Sequence, residues 1–303
     1  MITYKEISSL ENDLGVSAKA LYTLTNEIHR HYRTVMIPKD NGELRKLSVP
    51  DPFLKSVQRK MAHNILFFEE ISPYATAYRP GGSTLINALP HVSKNTVMKL
   101  DINKFFDHII YPIVKEKVFP AHKYSEANRI LLTLICIYKD SLPQGAPTSP
   151  VISNIVLKDF DNKVGEFCFK RNVTYTRYCD DMTFSGEFDP QQIKRFVQNE
   201  LKKLGLYLNS KKTVILKNGQ QKKVTGIVVN EKPNVCAKYK RKLRQEIYFC
   251  QKYGIKNHLD KTGSCLTEAQ YKAQLLGRIN YCLSVSHKDK NMQGFKEWLI
   301  NNK

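Results

Sequence analysis

Disulfide and zinc frameworks are the first things this sequence lacks. Its seven cysteines (Cys136, Cys168, Cys179, Cys236, Cys250, Cys265 and Cys282) are scattered, odd in number and nowhere spaced CxxC. That pattern excludes a disulfide scaffold and a zinc knuckle, and it points to free thiols in a reducing compartment. Neither GxxxxGK[ST] nor HExxH occurs, so a P-loop NTPase and a helix-borne zinc hydrolase are excluded at motif level. The longest apolar run, ILLTLICIY from Ile130, falls short of the ~20 residues a spanning helix needs. The opening MITYKEISSLENDLG has neither the basic start nor the apolar core of a signal peptide. These absences predict a cytoplasmic protein with no membrane partner. No internal repeat, low-complexity tract or long linker interrupts the 303 residues.

Acids are scarce as well: 28, against 48 lysines and arginines, for a formal net charge of +20. At 42% hydrophobic and 25% charged the chain is otherwise an ordinary globular one, so the anomaly is the sign of its charge. A polyanionic partner is implied, nucleic acid before an anionic membrane. The excess is uneven. Residues 202–223 hold seven lysines and no acid, and residues 231–303 hold fifteen basic residues against six acidic ones. Concentrated positive surface in the second half suits a groove or clamp on phosphates.

Local patterns give an α+β reading. Ser17 is placed to cap a helix carrying Leu21, Leu24 and Ile28 at helical spacing, and helical spacing returns at LKSVQRKMAHNILFF. Between them YRTVMIPKDNGELRKLSVPDP alternates around Asn41-Gly42, a hairpin signal. TVMKLDI, 96–102, reads as a buried strand ending in Asp101. After SLPQGAPTSP a helix is expected with Ser149 as cap, Pro150 in its first turn and Ile152, Ile155, Val156 and Phe160 inward. A hairpin, a helix closed by Gly205 and a short KVTGIVV strand follow, and helices fill most of 237–300. Strands and helices mix without βαβ alternation.

The hairpin TYTRYCDDMTFSG, 174–186, sets two acids side by side at its tip, Asp180 and Asp181. If its strands neighbour the one ending in Asp101, three carboxylates converge at one sheet edge. Hard divalent cations relieve that repulsion, since Mg²⁺ takes one or two carboxylates with substrate phosphates and water. Two such ions roughly 3.5–4 Å apart stabilise the attacking and leaving oxygens of an in-line phosphoryl displacement. Taken alone, an Asp-Asp pair is more often a turn or cap.

The surrounding motifs resemble those of reverse transcriptases along nearly the whole chain. YCDD (178–181) resembles the Y-x-D-D box and LDINKFFDHI the first catalytic-aspartate motif. LPQGAPTSPVISN resembles the helix-opening motif beneath the incoming nucleotide, and GLYLNSKKT and VTGIVV the later palm motifs and primer grip. NALPH (Asn87, Ala88, His91) and VTG (Val224, Thr225, Gly226) resemble elements of the retron branch, whereas Cys179 stands where many bacterial relatives have alanine. The resemblance implies a right-hand polymerase: N-terminal helix and fingers in 1–92, an antiparallel-sheet palm in 93–230 with finger elements around 112–150, and an RNA-binding helical thumb in 231–303. It also implies RNA-directed DNA synthesis on a structured noncoding RNA, primed by a guanosine 2′-hydroxyl and yielding RNA-linked single-stranded DNA. A separate effector protein and antiphage defence come with it. A maturase-like reverse transcriptase is the same-class alternative; a metal-dependent nuclease and a noncatalytic RNA-binding module are the others.

Residue roles follow the same way. Asp101, Asp180 and Asp181 become catalytic metal ligands, with the Ile102 carbonyl a further one, for two Mg²⁺. Phe106 becomes the ring that excludes a 2′-hydroxyl and so selects dNTPs, with core packing a second reading that holds beside it, while Phe105 reads as core. Gln144 and Gly145 lie under the nucleotide, though PQGAP is also a good turn. Lys39 and Arg45 grip the triphosphate or are solvated hairpin charge. Lys211 or Lys212 protonates the leaving pyrophosphate. Asn87, His91, Tyr178 and Val224–Gly226 are assigned to RNA or primer, with local packing the other reading of Asn87 and His91. Lys238, Lys240, Arg241, Lys242 and Arg244, interleaved with Tyr239 and Tyr248, suit a helix along a nucleic-acid backbone. Trp298, with Phe295 and Leu299 at helical spacing, reads as core.

Overall fold

A computed structural model describes residues 3–38 and 42–301. Helices and strands mix in an α+β order, and the chain divides into two compact units, 1–82 with 98–215 and 83–97 with 216–303. Among the described residues no helix is long and apolar enough to cross a membrane.

In the first unit the hairpin of β1 (Tyr32–Pro38) and β2 (Leu44–Pro50) runs antiparallel from Tyr32↔Pro50 to Pro38↔Leu44. Asn41 of the expected turn, and Lys39, lie outside the described residues. β3 (Thr96–Asp101), β4 (Thr174–Tyr178), β5 (Asp181–Gly186) and β6 (Val214–Leu216) form a four-stranded sheet in the order β4-β5-β3-β6. Tyr, Thr and Phe fill β4 and β5, residues that pack well on a pleated surface. Their register closes on Tyr178↔Asp181, so Cys179 and Asp180 alone connect the strands. Cys179 has φ +62, the left-handed conformation that tight hairpin turns demand at their first central residue.

Helices cover this sheet because their apolar residues share one face. Ile152, Val164, Ile193, Val197 and Phe184 are fully buried in one core. Ser17 caps its helix as expected, accepting from the Ala20 amide. Ser149 does not: it lies inside the helix Ser149–Val156, and its hydroxyl donates to the Pro143 carbonyl at 2.8 Å. The preceding loop offers a closer acceptor than the helix end needs a cap. That helix also breaks at Leu157 before a second runs Lys158–Phe169.

In the second unit KVTGIVV is a hairpin rather than one strand. β7 (Lys223–Val224) turns through Thr225 and Gly226, φ +43 and +85, into β8 (Ile227–Val228), and β9 (Asn234–Val235) pairs beside it. Two consecutive positive φ values reverse the chain. Helices Ala237–Tyr253, Ile255–Thr262, Glu268–Val285 and Lys290–Asn301 complete the unit around Leu243, Ile247, Leu275 and Ile279. Leu299 is buried, and Phe295 and Trp298 pack against that core, as their helical spacing predicts.

Candidate active site

Strand order brings the three acids together. β5 lies next to β3, and the Ile102 amide donates to the Asp180 carbonyl at 3.1 Å. The hairpin tip therefore abuts the end of the strand that carries Asp101. Asp101 is 5% exposed, whereas Asp180 and Asp181 are half-buried. A cavity of about 560 Å³ opens here, with Asp101, Asp180, Ile102 and Cys179 on its wall; Asp181 is beside the wall rather than in it.

Charge is the unresolved quantity at this edge. The Asp181 carboxyl is held above its ordinary range, first by burial and next by the negative charge of Asp180, with Asp101 adding to it. Lys212 supplies a partial answer: its ammonium donates to Asp101 Oδ2 at 2.7 Å, and that bond is the main reason its own pKa is raised. Among the described residues no three His, Cys, Asp or Glu side chains close on a single point as a complete metal cage. The donor set nevertheless fits a hard divalent cation. It offers carboxylate oxygens short of positive charge, one of them already holding an ammonium, and such cations complete their shells with water and substrate phosphate.

Several other candidate residues stand on the same wall. Phe105 and Phe106 both line the cavity; Phe106 is half-buried, while Phe105 is 4% exposed and also belongs to the core. Arg45, from β2, and Gln144 stand on the same wall. Gly145 lies in an adjoining cavity of about 470 Å³, which shares Arg45, Phe106, Gln144 and Tyr78 with the first. The Ser48 amide donates to the Gln144 carbonyl at 2.8 Å, locking that loop to the hairpin. Between the two candidate lysines, both exposed, the structure separates what the sequence left equal: Lys212 lines the cavity and touches Asp101, whereas Lys211 does neither. Tyr178 is half-buried in β4, paired with Asp181.

Other placements are corrections. Asn87 and His91 are both 0% exposed, which leaves no surface for RNA and places them in local packing. Asn87 donates to Thr225 Oγ1 at 3.4 Å, and Thr225 donates to the Thr84 carbonyl at 2.8 Å. Burial also holds the His91 imidazole pKa down to about 3, a neutral ring. Val224 is likewise 0% exposed. Of the basic residues on the helix Ala237–Tyr253, Lys238, Arg241, Lys242 and Arg244 are exposed, but Lys240 is held by Asp289 at 2.7 Å.

Sequence reasoning missed Tyr78, whose hydroxyl lies 3.1 Å from Cys179 Sγ on the cavity wall and whose φ is +56. It also missed Asn209, whose amide donates to the Asp101 carbonyl at 2.8 Å. A tyrosine before RPGG carries no local signal of this contact; only the fold makes it.

Comparison with known proteins accords with this geometry. Residues 37–278 match the model of the reverse transcriptase (RNA-dependent DNA polymerase) family. The Retron Ec86 reverse transcriptase of Escherichia coli is 32% identical over 80% of this chain and 78% of its own. The Retron Mx65 reverse transcriptase of Myxococcus xanthus is 31% identical over 78% of this chain and 60% of its own. Among solved structures, telomerase from Candida albicans aligns over 89% of this chain and 63% of its own, with 12% identity and a TM-score of 0.49. By the family match and the retron relatives, the fold is the right-hand polymerase fold, divalent metal ions are the family's general cofactor, and the chain belongs to the retron reverse transcriptases, RNA-directed DNA polymerases.

Proposed function

We propose that this enzyme copies a structured noncoding RNA into RNA-linked single-stranded DNA, primed from a guanosine 2′-hydroxyl. The observation that carries the catalytic part is the abutment of the YCDD tip on the end of β3, with Asp101 and Asp180 on one cavity wall. Asp101, Asp180 and Asp181, with the Ile102 carbonyl, would hold two Mg²⁺, which when bound neutralise charge on the transferring phosphoryl group. Phe106 walls the sugar position against a 2′-hydroxyl, Arg45 grips the triphosphate together with Lys39, and Gln144 and Gly145 support the nucleotide from below. Lys212 is the better general acid of the two lysines, because it sits on the cavity wall beside Asp101.

An N-terminal helix and fingers over 1–92, a palm over 93–230 with finger elements around 112–150, and a thumb over 231–303 are our division of labour. The exposed Lys238, Arg241, Lys242 and Arg244, with exposed Tyr248 nearby, form the RNA-binding face of the thumb. Retron kinship supports a cytoplasmic setting, a separate effector protein and antiphage defence.

The test is primer extension with purified protein, Mg²⁺ and dNTPs on matched RNA and DNA templates, beside Asp180→Asn/Asp181→Asn. Extension on RNA should fall by about 10³-fold or more in the double variant, as expected when preorganised charge stabilisation is removed. Undiminished extension would sink the assignment of these acids. Nucleic acid carried by the protein from its own cells should include DNA covalently joined to RNA; a heterogeneous RNA pool without DNA would remove the retron product from the reading.

A further inference from the structure

The YCDD turn is held from behind by the side chain of the residue just before it, Arg177. Arg177 and Asp161 form an ion pair in which both side chains are 0% exposed. Arg177 Nε donates to Asp161 Oδ1 at 2.9 Å, and Nη2 donates to Oδ2 at 2.6 Å. Nη2 also donates to Asn154 Oδ1 at 3.1 Å, and Nη1 donates to the Cys179 carbonyl at 2.8 Å. Tyr175 adds its hydroxyl to Asp161 Oδ1 at 2.7 Å. The arginine backbone is fixed too: its amide donates to the Tyr74 carbonyl, and its carbonyl accepts from the Thr76 amide, both at 2.8 Å.

Stability does not account for such a pair. Burying two ions costs more desolvation than their attraction regularly returns, and apolar replacements of similar volume are often as stable or more so. The turn supplies the missing reason. Cys179 is a non-glycine residue at φ +62, a conformation that persists only where its surroundings over-determine it. A charge-assisted hydrogen bond on its carbonyl, from a guanidinium with no freedom of its own, is such a constraint. The next two residues are Asp180 and Asp181. Asn154, on the same guanidinium, belongs to the helix that follows the Gln144–Gly145 loop.

We infer that the Arg177–Asp161 pair is the positioning unit of the catalytic turn: it pins the Cys179 carbonyl and so sets where Asp180 and Asp181 present their carboxylates. Arg177 does not line the nucleotide cavity, so it acts through the turn it holds at Cys179 and the helix it holds at Asn154. This rests on the polymerase reading, and the experiment separates the two.

Two variants are compared with the wild type: Arg177→Lys, which keeps the charge but loses the fork that reaches three partners, and Arg177→Met/Asp161→Leu, which removes both charges. Three quantities are measured: melting temperature, Mn²⁺ binding by electron paramagnetic resonance of the free ion, and kcat and KM for dNTP. The double variant should melt within a few degrees of the wild type. Its kcat should fall about 10²-fold, the cost of roughly 1 Å of misplacement, its Mn²⁺ half-saturation should rise several-fold, and KM for dNTP should change far less. Arg177→Lys should show the same split. Wild-type kcat and Mn²⁺ affinity in the double variant would overturn the inference. So would losses in both variants that merely track the fraction of folded protein. Wild-type protein that neither binds Mn²⁺ nor extends a primer would instead bring down the polymerase reading itself.

Discussion

Asp181 shows what clustered carboxylates at the proposed metal site cost the folded chain. Its carboxyl titrates above the ordinary value of 3.8, through burial first and Asp180 second. The sign follows from linkage: below pH 3.8 both folded and unfolded states hold the proton and nothing is lost. As pH rises through 3.8 toward the raised folded value, the unfolded chain releases its proton first, and stability falls. The penalty is complete once the pH has passed the folded value. Asp181→Asn in metal-free buffer should therefore melt above the wild type, by about 2–4 °C for each kcal/mol relieved, and the gap should vanish as pH drops below 3.8. Added Mg²⁺ should raise the wild-type melting temperature and leave the variant nearly unmoved. Scanning calorimetry across pH decides it, and a variant that melts lower throughout would refute the account. At this scale the sequence was legible in part. Adjacent acids in a basic chain announce themselves, as does an aromatic five residues past Asp101. The choice of Lys212 over Lys211 was not legible, because it depends on which lysine the short turn before β6 directs at Asp101.

Among the elements, the loop carrying Gln144 and Gly145 is docked on β2, and Gly145 permits the docking. Its φ is +124, and a Cβ there would come within 2.8 Å of the Ser48 carbonyl oxygen. Gly145→Ala thus adds backbone strain of about 1–3 kcal/mol and a clash that only separation of loop and strand relieves. Separation would carry Gln144 away from Arg45, with which it lines the cavity. The variant is expected to lose several degrees of melting temperature and to show a dNTP KM raised at least several-fold, measured by steady-state extension. Unchanged KM and stability would mean the loop tolerates a side chain. A glycine placed for close backbone approach was readable from QG before a helix. The Ser149 cap was misread, since the hydroxyl finds the Pro143 carbonyl through a turn that no local pattern announces. KVTGIVV was misread as one strand because alternation looks the same on either side of a two-residue reversal.

For the whole chain, charge was the most legible property and division into units the least. Residues 83–97 join 216–303 through contacts such as Ser93 to the Glu231 carbonyl at 2.9 Å, nearly half the sequence apart, beyond any local signal. Charge also needs structure to become function, because a count of lysines does not say which ones are free to meet phosphate. Lys240 and Arg241 are neighbours in sequence, yet the first is bound to Asp289, which also accepts from the Met292 amide at the start of the helix Lys290–Asn301. Lys238, Arg241 and Lys242 are exposed. Each phosphate contact to a single strand contributes about 0.7 to the slope of log binding constant against log salt. Replacing Lys238, Arg241 and Lys242 by glutamine should flatten that slope for RNA by up to about 2 while leaving the melting temperature near wild type. Lys240→Gln should do the reverse, with the slope retained and stability lowered as Asp289 loses its partner. Filter binding from low to high salt, beside a thermal melt of each variant, separates the two classes. If Lys240→Gln flattened the slope as the exposed lysines do, its pairing with Asp289 would have to open whenever RNA binds.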